Sequence, residues 1–189
     1  MARRRRDELE RGIEDALRIG TFIDYRRGWD FVEDVEAVRE KIVPLIERGE
    51  AARAVDLLET FIAASYEKSE EIDGSSGRFG QFVEELFCDW IRARQGAEAD
   101  PAETASMLVS WMETDVYGYC HGLEEEAVKA LDRKGVNAFE RAVLEQAADG
   151  EKTSFPQWRK VEVLKAIHAR RRDVDAYRTL CEADGDLAP

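Results

Sequence analysis

The sequence predicts an all-α fold of antiparallel helix pairs stacked in order, an irregular α-solenoid of the tetratricopeptide or HEAT kind. Apolar residues recur at every third or fourth position from Leu9 to Leu180, no segment alternates convincingly like a strand, and helix start and stop signals recur along the chain. A helix with one apolar face must bury it on a neighbour, and stacked pairs do so economically. Because no strict 34-residue repeat is present, a compact helical bundle is the alternative.

Four apolar stripes predict the helices of the first half of the chain. The second stripe contains Pro44, which predicts a kink or a break. The fourth is broad and aromatic, which predicts a helix buried on two sides. The stripes are Leu9, Ile13 and Leu17, closed by Gly20; Val35, Val38, Ile42 and Leu45, ending at Gly49; Ala54, Leu57, Leu58, Phe61 and Ile62, in a helix from about Glu50 to Glu70; and Phe79, Phe82, Val83, Leu86, Phe87, Trp90 and Ile91.

Capping signals predict the helices of the second half. Asp100 is a predicted N-cap, with Pro101 at the first helical position. Asn137 and Ser154 are predicted to begin two further helices, and Gly135 to end the helix before Asn137. The apolar positions are Met107, Leu108, Trp111 and Met112; Leu123, Ala127, Val128 and Leu131; Phe139, Val143 and Ala147; Trp158, Val161, Leu164 and Ile167; and Val174, Tyr177 and Leu180.

Two regions are predicted, a helical-pair domain over residues 1–150 and a further helix pair over residues 151–189. The last predicted helix leaves Val174, Tyr177 and Leu180 without a following partner. A solenoid end without a polar cap exposes apolar surface. We therefore expect that the chain is the N-terminal part of a longer protein, or that it associates with a partner or another copy through this end.

The net charge of −13 limits the classes of partner. Nucleic-acid binding depends on cations placed against phosphates, so a chain this acidic is a poor candidate for it, and a basic protein or peptide is the expected partner. The run Arg3 to Arg6 leaves open a nucleic-acid regulator with an arginine arm, although acidic residues follow directly, which favours a solvated helix start.

The cysteines and the hydropathy pattern predict a cytoplasmic protein. Cys88, Cys120 and Cys181 are scattered and lack metal-binding spacing, which is typical of a reducing compartment. No apolar run approaches the roughly 20 residues that cross a bilayer, and no secretory signal follows the arginines. We expect no membrane association, no metal and no cofactor.

The loop "EIDGSSGRFGQF" carries the first candidate site. Its glycines are spaced three apart and no Lys-Ser/Thr follows, so the pattern does not fit a P-loop. A turn explains it better, because glycine supplies positive φ and Asp73 or Ser76 can cap the next helix. The candidate binding residues here are Asp73, Ser75 and Ser76.

The turn "DVYGYCHGLEEE" carries the second candidate site, with Tyr117 and His121 as its binding residues. Cys120 and His121 are adjacent in sequence, so their side chains are expected to point apart rather than to form a catalytic dyad. The other histidine, His168, lies on an apolar face and is predicted to be at least half-buried. The four tryptophans, Trp29, Trp90, Trp111 and Trp158, are predicted to be core anchors.

Several of these segments together resemble a family of uncharacterised bacterial helical proteins. The match extends over about Arg18 to Ala183. The resemblance implies an all-helical, repeat-like fold, a continuation into further helix pairs, and no particular activity. The segments that carry it are Ile23, Asp24, Tyr25 and Arg26; Ala54, Leu57 and Leu58; Asp73, Ser75, Ser76 and Gly77; and Tyr117 with Gly118.

Two functional hypotheses from different classes follow from the sequence. The first is a non-enzymatic helical scaffold for protein–protein interaction that buries aromatic anchors within a polar rim. The second is an enzyme or small-ligand module in which Asp73, Ser75, Tyr117 and His121 line one pocket formed by the two turns. Architecture alone does not decide between them.

Overall fold

The computed structural model describes residues 8–148 and 157–184, and over these residues the chain is helical without a β-strand. The all-α prediction is thereby confirmed, while the stacking of helix pairs into a solenoid stays a prediction. The helices are α1 (Glu8–Ala16), α2 (Arg27–Ile42), α3 (Pro44–Glu47), α4 (Ala51–Lys68), α5 (Arg78–Gly96), α6 (Pro101–Thr114), α7 (Leu123–Ala130), α8 (Arg133–Ala148), α9 (Gln157–Arg171) and α10 (Val174–Asp184), with 3-10 turns at Ser69–Glu71 and Gly74–Ser76.

The chain divides into two compact units, Met1–Glu98 and Ala99–Pro189. In the first unit α4 and α5 pack along each other, and α2 packs on α1 and α5. In the second unit α6 packs on α8, and α9 packs on α7, α8 and α10. The division predicted from the sequence, between residues 150 and 151, is a different one and stays a prediction.

Helix α5 is the centre of the first unit. Its apolar and aromatic residues are buried on faces that contact both α2 and α4, as the breadth of its stripe predicts. The rings of Phe79 and Phe82 stack 5.9 Å apart, and Phe82 meets Phe61 of α4 at 5.3 Å. Phe79 also packs against Phe31 of α2 at 5.8 Å. Ring centres at these distances lie in the range of favourable aromatic pairs, so the cluster joins α2, α4 and α5.

A buried ion pair joins α2 to α5. The carboxylate of Asp89 is fully buried, and its Oδ2 lies 2.6 Å from Nε of Arg39. Arg39 also pairs with Glu85, and the other oxygen of Asp89 accepts a hydrogen bond from Arg92 at 2.9 Å. Because both oxygens of Asp89 are satisfied, its burial does not leave an uncompensated charge.

Proline ends α2 as the sequence predicts. Helix α2 stops at Ile42, and Pro44 occupies the first position of α3. A proline at this position loses no hydrogen bond, because the first amides of a helix have no partner within it. The helix predicted from about Glu50 to Glu70 is α4 followed by a 3-10 turn.

In the second unit one predicted cap is confirmed and one is wrong. The carboxylate of Asp100 accepts the backbone N–H of Ala102 at 2.9 Å and begins α6. Asn137, in contrast, lies inside α8, which begins at Arg133. Asp132 accepts the N–H of Gly135 at 2.6 Å, so the cap precedes Gly135, and that glycine lies in the first turn of α8 instead of ending α7.

The prediction that all four tryptophans anchor the core is wrong for two of them. Trp90 is fully buried and donates its indole N–H to Glu59 at 2.9 Å. Trp111 is half-buried. Trp29 and Trp158 are 46% and 47% exposed, because each lies in the first turn of a helix and is only partly covered, by Arg78 and by His121 respectively.

At the other end of the described chain, α10 exposes apolar side chains. Val174 and Tyr177 are exposed as predicted, whereas Leu180 is half-buried. His168 is half-buried, also as predicted.

The arginine run at residues 3–6 and the predicted cap Ser154 lie outside the described residues. None of the described helices combines the length and the apolar character that crossing a membrane requires.

Candidate functional site

Two loops of the first unit are joined by backbone hydrogen bonds. Ile23 donates its N–H to the carbonyl of Glu71 at 2.9 Å, and Asp73 donates its N–H to the carbonyl of Ile23 at 2.8 Å. Together these bonds form an isolated parallel bridge between Ile23 and Ile72, whose side chains are both buried. The loop before α2 and the loop before α5 therefore form one connected surface, although they are about fifty residues apart in sequence.

Asp73 has a structural role at this junction. Its carboxylate accepts the N–H of Ser75 at 3.0 Å. Hydrogen bonds from the Ser75 side chain and backbone, and from the backbone of Tyr25, lower the pKa of Asp73. A carboxylate with a lowered pKa is ionised at neutral pH, so it can cap the turn as an acceptor but does not supply a proton.

The rest of the first predicted site forms the turn into α5. The hydroxyl of Ser76 accepts the N–H of Arg78 at 3.4 Å, and Gly77 donates its N–H to the carbonyl of Gly74 at 3.0 Å. Gly77 has a φ of 72°, which a residue with a Cβ adopts only with strain. The turn interpretation therefore accounts for Asp73, Ser75 and Ser76, which the structure brings together.

The loop before α2 and the first turn of α2 carry exposed aromatic side chains that are not among the predicted binding residues. Phe22, Tyr25 and Trp29 are 58%, 52% and 46% exposed. The guanidinium carbon of Arg78 lies 3.8 Å from the centre of the Trp29 ring, which is a cation–π contact. We call Phe22, Tyr25, Trp29 and Arg78 the aromatic surface.

A signal for the aromatic surface was present in the sequence. Phe22 and Tyr25 precede α2 and so lie outside its apolar stripe, whereas Trp29 lies three residues before Val32, at helical spacing. The backbone beneath them is fixed, because Asp24 accepts the N–H groups of Arg26 and Arg27, each at 3.0 Å. Large aromatic side chains on an ordered, uncovered surface are typical of binding sites.

The second predicted site, the turn between α6 and α7, lies in the other unit. The carboxylate of Asp115 accepts the N–H groups of Tyr119 and Cys120 at 3.1 Å and 2.7 Å. The ring of Tyr117 stacks on Tyr119 at 5.7 Å, and Gly118 and Gly122 both have positive φ. Asp115 and the glycines thus shape a turn, with Tyr117 partly exposed on it.

Cys120 and His121 point in different directions, as their adjacency predicts. Cys120 is fully buried, whereas His121 is exposed and its ring lies 6.1 Å from that of Trp158. The two side chains do not form a catalytic dyad. Over residues 8–148 and 157–184 there is also no cluster of three histidine, cysteine or acidic side chains that could hold a metal ion.

The structure contains a buried ion pair next to this turn that is not predicted from the sequence. Glu124 and Arg159 are 4% and 5% exposed, and Oε1 of Glu124 lies 3.5 Å from Nε of Arg159. Arg159 donates to the carbonyl of Cys120 at 3.3 Å, and Glu124 accepts the N–H of Gly122 at 2.9 Å, so the pair fixes the turn to α9. Burial raises the pKa of Glu124. The spacing of Glu124 to Ala127 and Val128 was the available signal, because it places Glu124 on the buried face.

The five predicted binding residues therefore belong to two separate groups. Asp73, Ser75 and Ser76 form one turn of the first unit, and Tyr117 and His121 lie on one turn of the second. The hypothesis that both turns line a single pocket stays a prediction.

Comparison with known proteins gives one family assignment. The model of a family described as "Family of unknown function (DUF6880)" matches residues 10–186. Neither the curated proteins nor the solved structures yield a match to the chain.

Proposed function

The chain belongs to this family of unknown function, and from its geometry we propose that it is a non-enzymatic protein-interaction module that binds through the aromatic surface. One observation carries the proposal: three large aromatic side chains within eight residues are about half exposed on a backbone that is held in place from both sides. Aromatic and arginine side chains dominate the binding energy of protein interfaces.

The ordered backbone beneath the aromatic surface supports a binding role for its side chains. Asp73 accepts the backbone N–H of Ser75 at 3.0 Å, and the Ile23–Ile72 bridge joins the two loops. A surface that is already ordered loses little conformational entropy on binding, which favours affinity. Trp29 and Tyr25 also carry polar hydrogens that a partner's carbonyl groups can accept.

The state of Asp73 weighs against the alternative of an enzyme or small-ligand module. Its carboxylate accepts the backbone N–H of Ser75, and its lowered pKa is the opposite of what a general acid needs. For the location of this activity we propose the cytoplasm, since Cys88, Cys120 and Cys181 are free thiols.

Site-specific photo-crosslinking in the source cells tests the proposal. A benzophenone-bearing phenylalanine replaces Tyr25 in one variant and Trp158 in a control variant, because Trp158 is a similarly exposed aromatic residue of the other unit. We expect a discrete protein adduct from position 25 that is absent from position 158. The adduct should disappear when Phe22→Ser and Trp29→Ser are added. The same adducts at both positions, or none at position 25, would show that the aromatic surface is not the binding site.

A further inference from the structure

The apolar face of α10 is only partly covered within the second unit. Leu180 is half-buried and Cys181 is buried, whereas Val174 and Tyr177, which continue the same face at helical spacing, are 71% and 40% exposed. Among the described helices, α10 packs mainly on α9. Burial of the uncovered part in a complex would remove apolar surface from water, which favours association.

A hollow lies directly beside these exposed side chains. Its volume is about 440 Å³, and Val174 and Tyr177 form part of its wall together with residues of the α9–α10 turn. The same surface therefore carries exposed apolar side chains and a hollow next to them. Such a surface can pair with an identical one across a twofold axis, because each copy then fills the hollow of the other.

The turn between α9 and α10 holds this surface in place. Asp173 donates its N–H to the carbonyl of His168 at 3.0 Å. Its carboxylate accepts the N–H of Ala176 at 3.2 Å, so Asp173 caps α10. A surface that is ordered before binding loses less conformational entropy when a partner covers it.

The formal charge of this region differs from that of the whole chain. Residues 168–184 contain four arginines and four acidic residues and are neutral overall, whereas the chain carries −13. Two copies of so acidic a chain repel each other, and the repulsion is weakest where neutral surfaces meet. A neutral surface selects neither an acidic nor a basic partner, but its own copy offers an acid for each arginine and an arginine for each acid.

Charges of both signs are exposed on α10 and the turn before it. Arg178 lies 3.6 Å from Asp175 and 3.7 Å from Glu182, and all three side chains are more than half exposed. Exposed pairs of this kind contribute little, so their members can bind a second copy instead. Arg172 is also exposed, and within residues 8–148 and 157–184 its guanidinium has no ion-pair partner.

We propose that this surface is a homodimer interface, in which Val174 and Tyr177 of each copy pack against the hollow of the other and the exposed arginines of one copy meet the acids of the other. Only two apolar side chains of each copy form its centre, so we expect a dissociation constant in the micromolar range. The inference does not depend on the proposed function, because the aromatic surface belongs to the other unit.

Sedimentation velocity over a concentration series of the full chain tests the proposal. We expect a monomer–dimer equilibrium that Val174→Ser/Tyr177→Ser weakens about tenfold or more. The matched control is Val116→Ser/Trp158→Ser, which changes a valine and an aromatic residue of similar exposure in the same unit. It should alter the dissociation constant less than about twofold. Circular dichroism checks that every variant keeps its helical content.

Two charge variants test the twofold pairing itself. Arg172→Glu/Arg178→Glu makes the surface acidic, and Asp175→Lys/Glu182→Lys makes it basic. Each variant alone should remain monomeric where the wild-type protein dimerises, because like charges then meet across the axis. An equimolar mixture of the two should dimerise again.

Several results would overturn the proposal. One is a wild-type protein that stays monomeric up to about 0.3 mM. Another is a dimer that Val174→Ser/Tyr177→Ser leaves intact or that the control weakens equally. If each charge variant still dimerises alone, or if their mixture stays monomeric, the charges do not pair across a twofold axis. Photo-crosslinking at position 25 decides the proposed function separately from all of these results.

Discussion

Oε1 of Glu124 lies 3.5 Å from Nε of Arg159, and both side chains are more than nine-tenths buried. Burial is the largest influence on Glu124 and raises its pKa, while the attraction of Arg159 only partly offsets it. Burial therefore disfavours the ionised form of Glu124 in the folded protein. As a result, the free energy of unfolding of the second unit depends on pH.

The sign of this pH dependence follows from the raised pKa. The contribution of Glu124 is fully present below its ordinary pKa of 4.5 and is lost as the pH rises through the higher pKa of the folded state. We expect Glu124→Gln to flatten the decrease in the free energy of unfolding above pH 4.5, measured by urea denaturation over a pH series. Glu125→Gln, at the exposed neighbour, is the control and should retain the wild-type slope. An unchanged slope in Glu124→Gln would contradict the assignment.

The Arg39 pairs provide a second prediction, which compares two carboxylates on the same guanidinium. Asp89→Ala leaves Arg39 partly buried without its main partner and should lower the free energy of unfolding by about 3 kcal/mol. Glu85→Ala removes a partly exposed partner and should cost less than about 1 kcal/mol. Urea denaturation of both variants measures the difference. Equal losses would mean that the burial of Asp89 does not determine its contribution.

The sequence was sufficient to predict most of the helices, because the signals that define a helix act within a short stretch of the chain. The 3.6-residue period, Pro44 and the Asp100–Pro101 cap each act within one turn. The prediction for Asn137 is wrong for the same reason: Asp132 supplies an equally local cap five residues earlier, and only the fold of α8 shows which one is used.

The exposure of Trp29 could not be predicted in this way, because exposure is a property of the tertiary structure. Tryptophan is largely buried in most proteins, and only the packing of α2 on α1 and α5 shows that Trp29 stays about half exposed. The bridge between Ile23 and Ile72 joins segments that are 49 residues apart, so no periodicity in either segment reveals it.

Gly77 tests the turn that holds the two loops together. Its φ is 72°, whereas Gly74 in the same turn does not have a positive φ, and a Cβ at either position meets no atom within 4 Å. Gly77→Ala should therefore cost about 1 kcal/mol of unfolding free energy through backbone strain alone. Gly74→Ala, measured by the same urea denaturation, should change it by less than about 0.5 kcal/mol. If Gly74→Ala is as costly as Gly77→Ala, strain at positive φ is not the cause.

Substitutions in the aromatic surface should change the free energy of unfolding much less than substitutions in the buried aromatic cluster of α5. Phe22 is 58% exposed, so Phe22→Ser should change the free energy of unfolding by less than about 0.5 kcal/mol. Phe79 is 2% exposed and contacts Phe31 and Phe82, so Phe79→Ala should lower it by about 3 to 5 kcal/mol. Thermal and urea denaturation measure both effects. A large loss in Phe22→Ser would show that this ring stabilises the fold, and its exposure would then no longer indicate a binding surface.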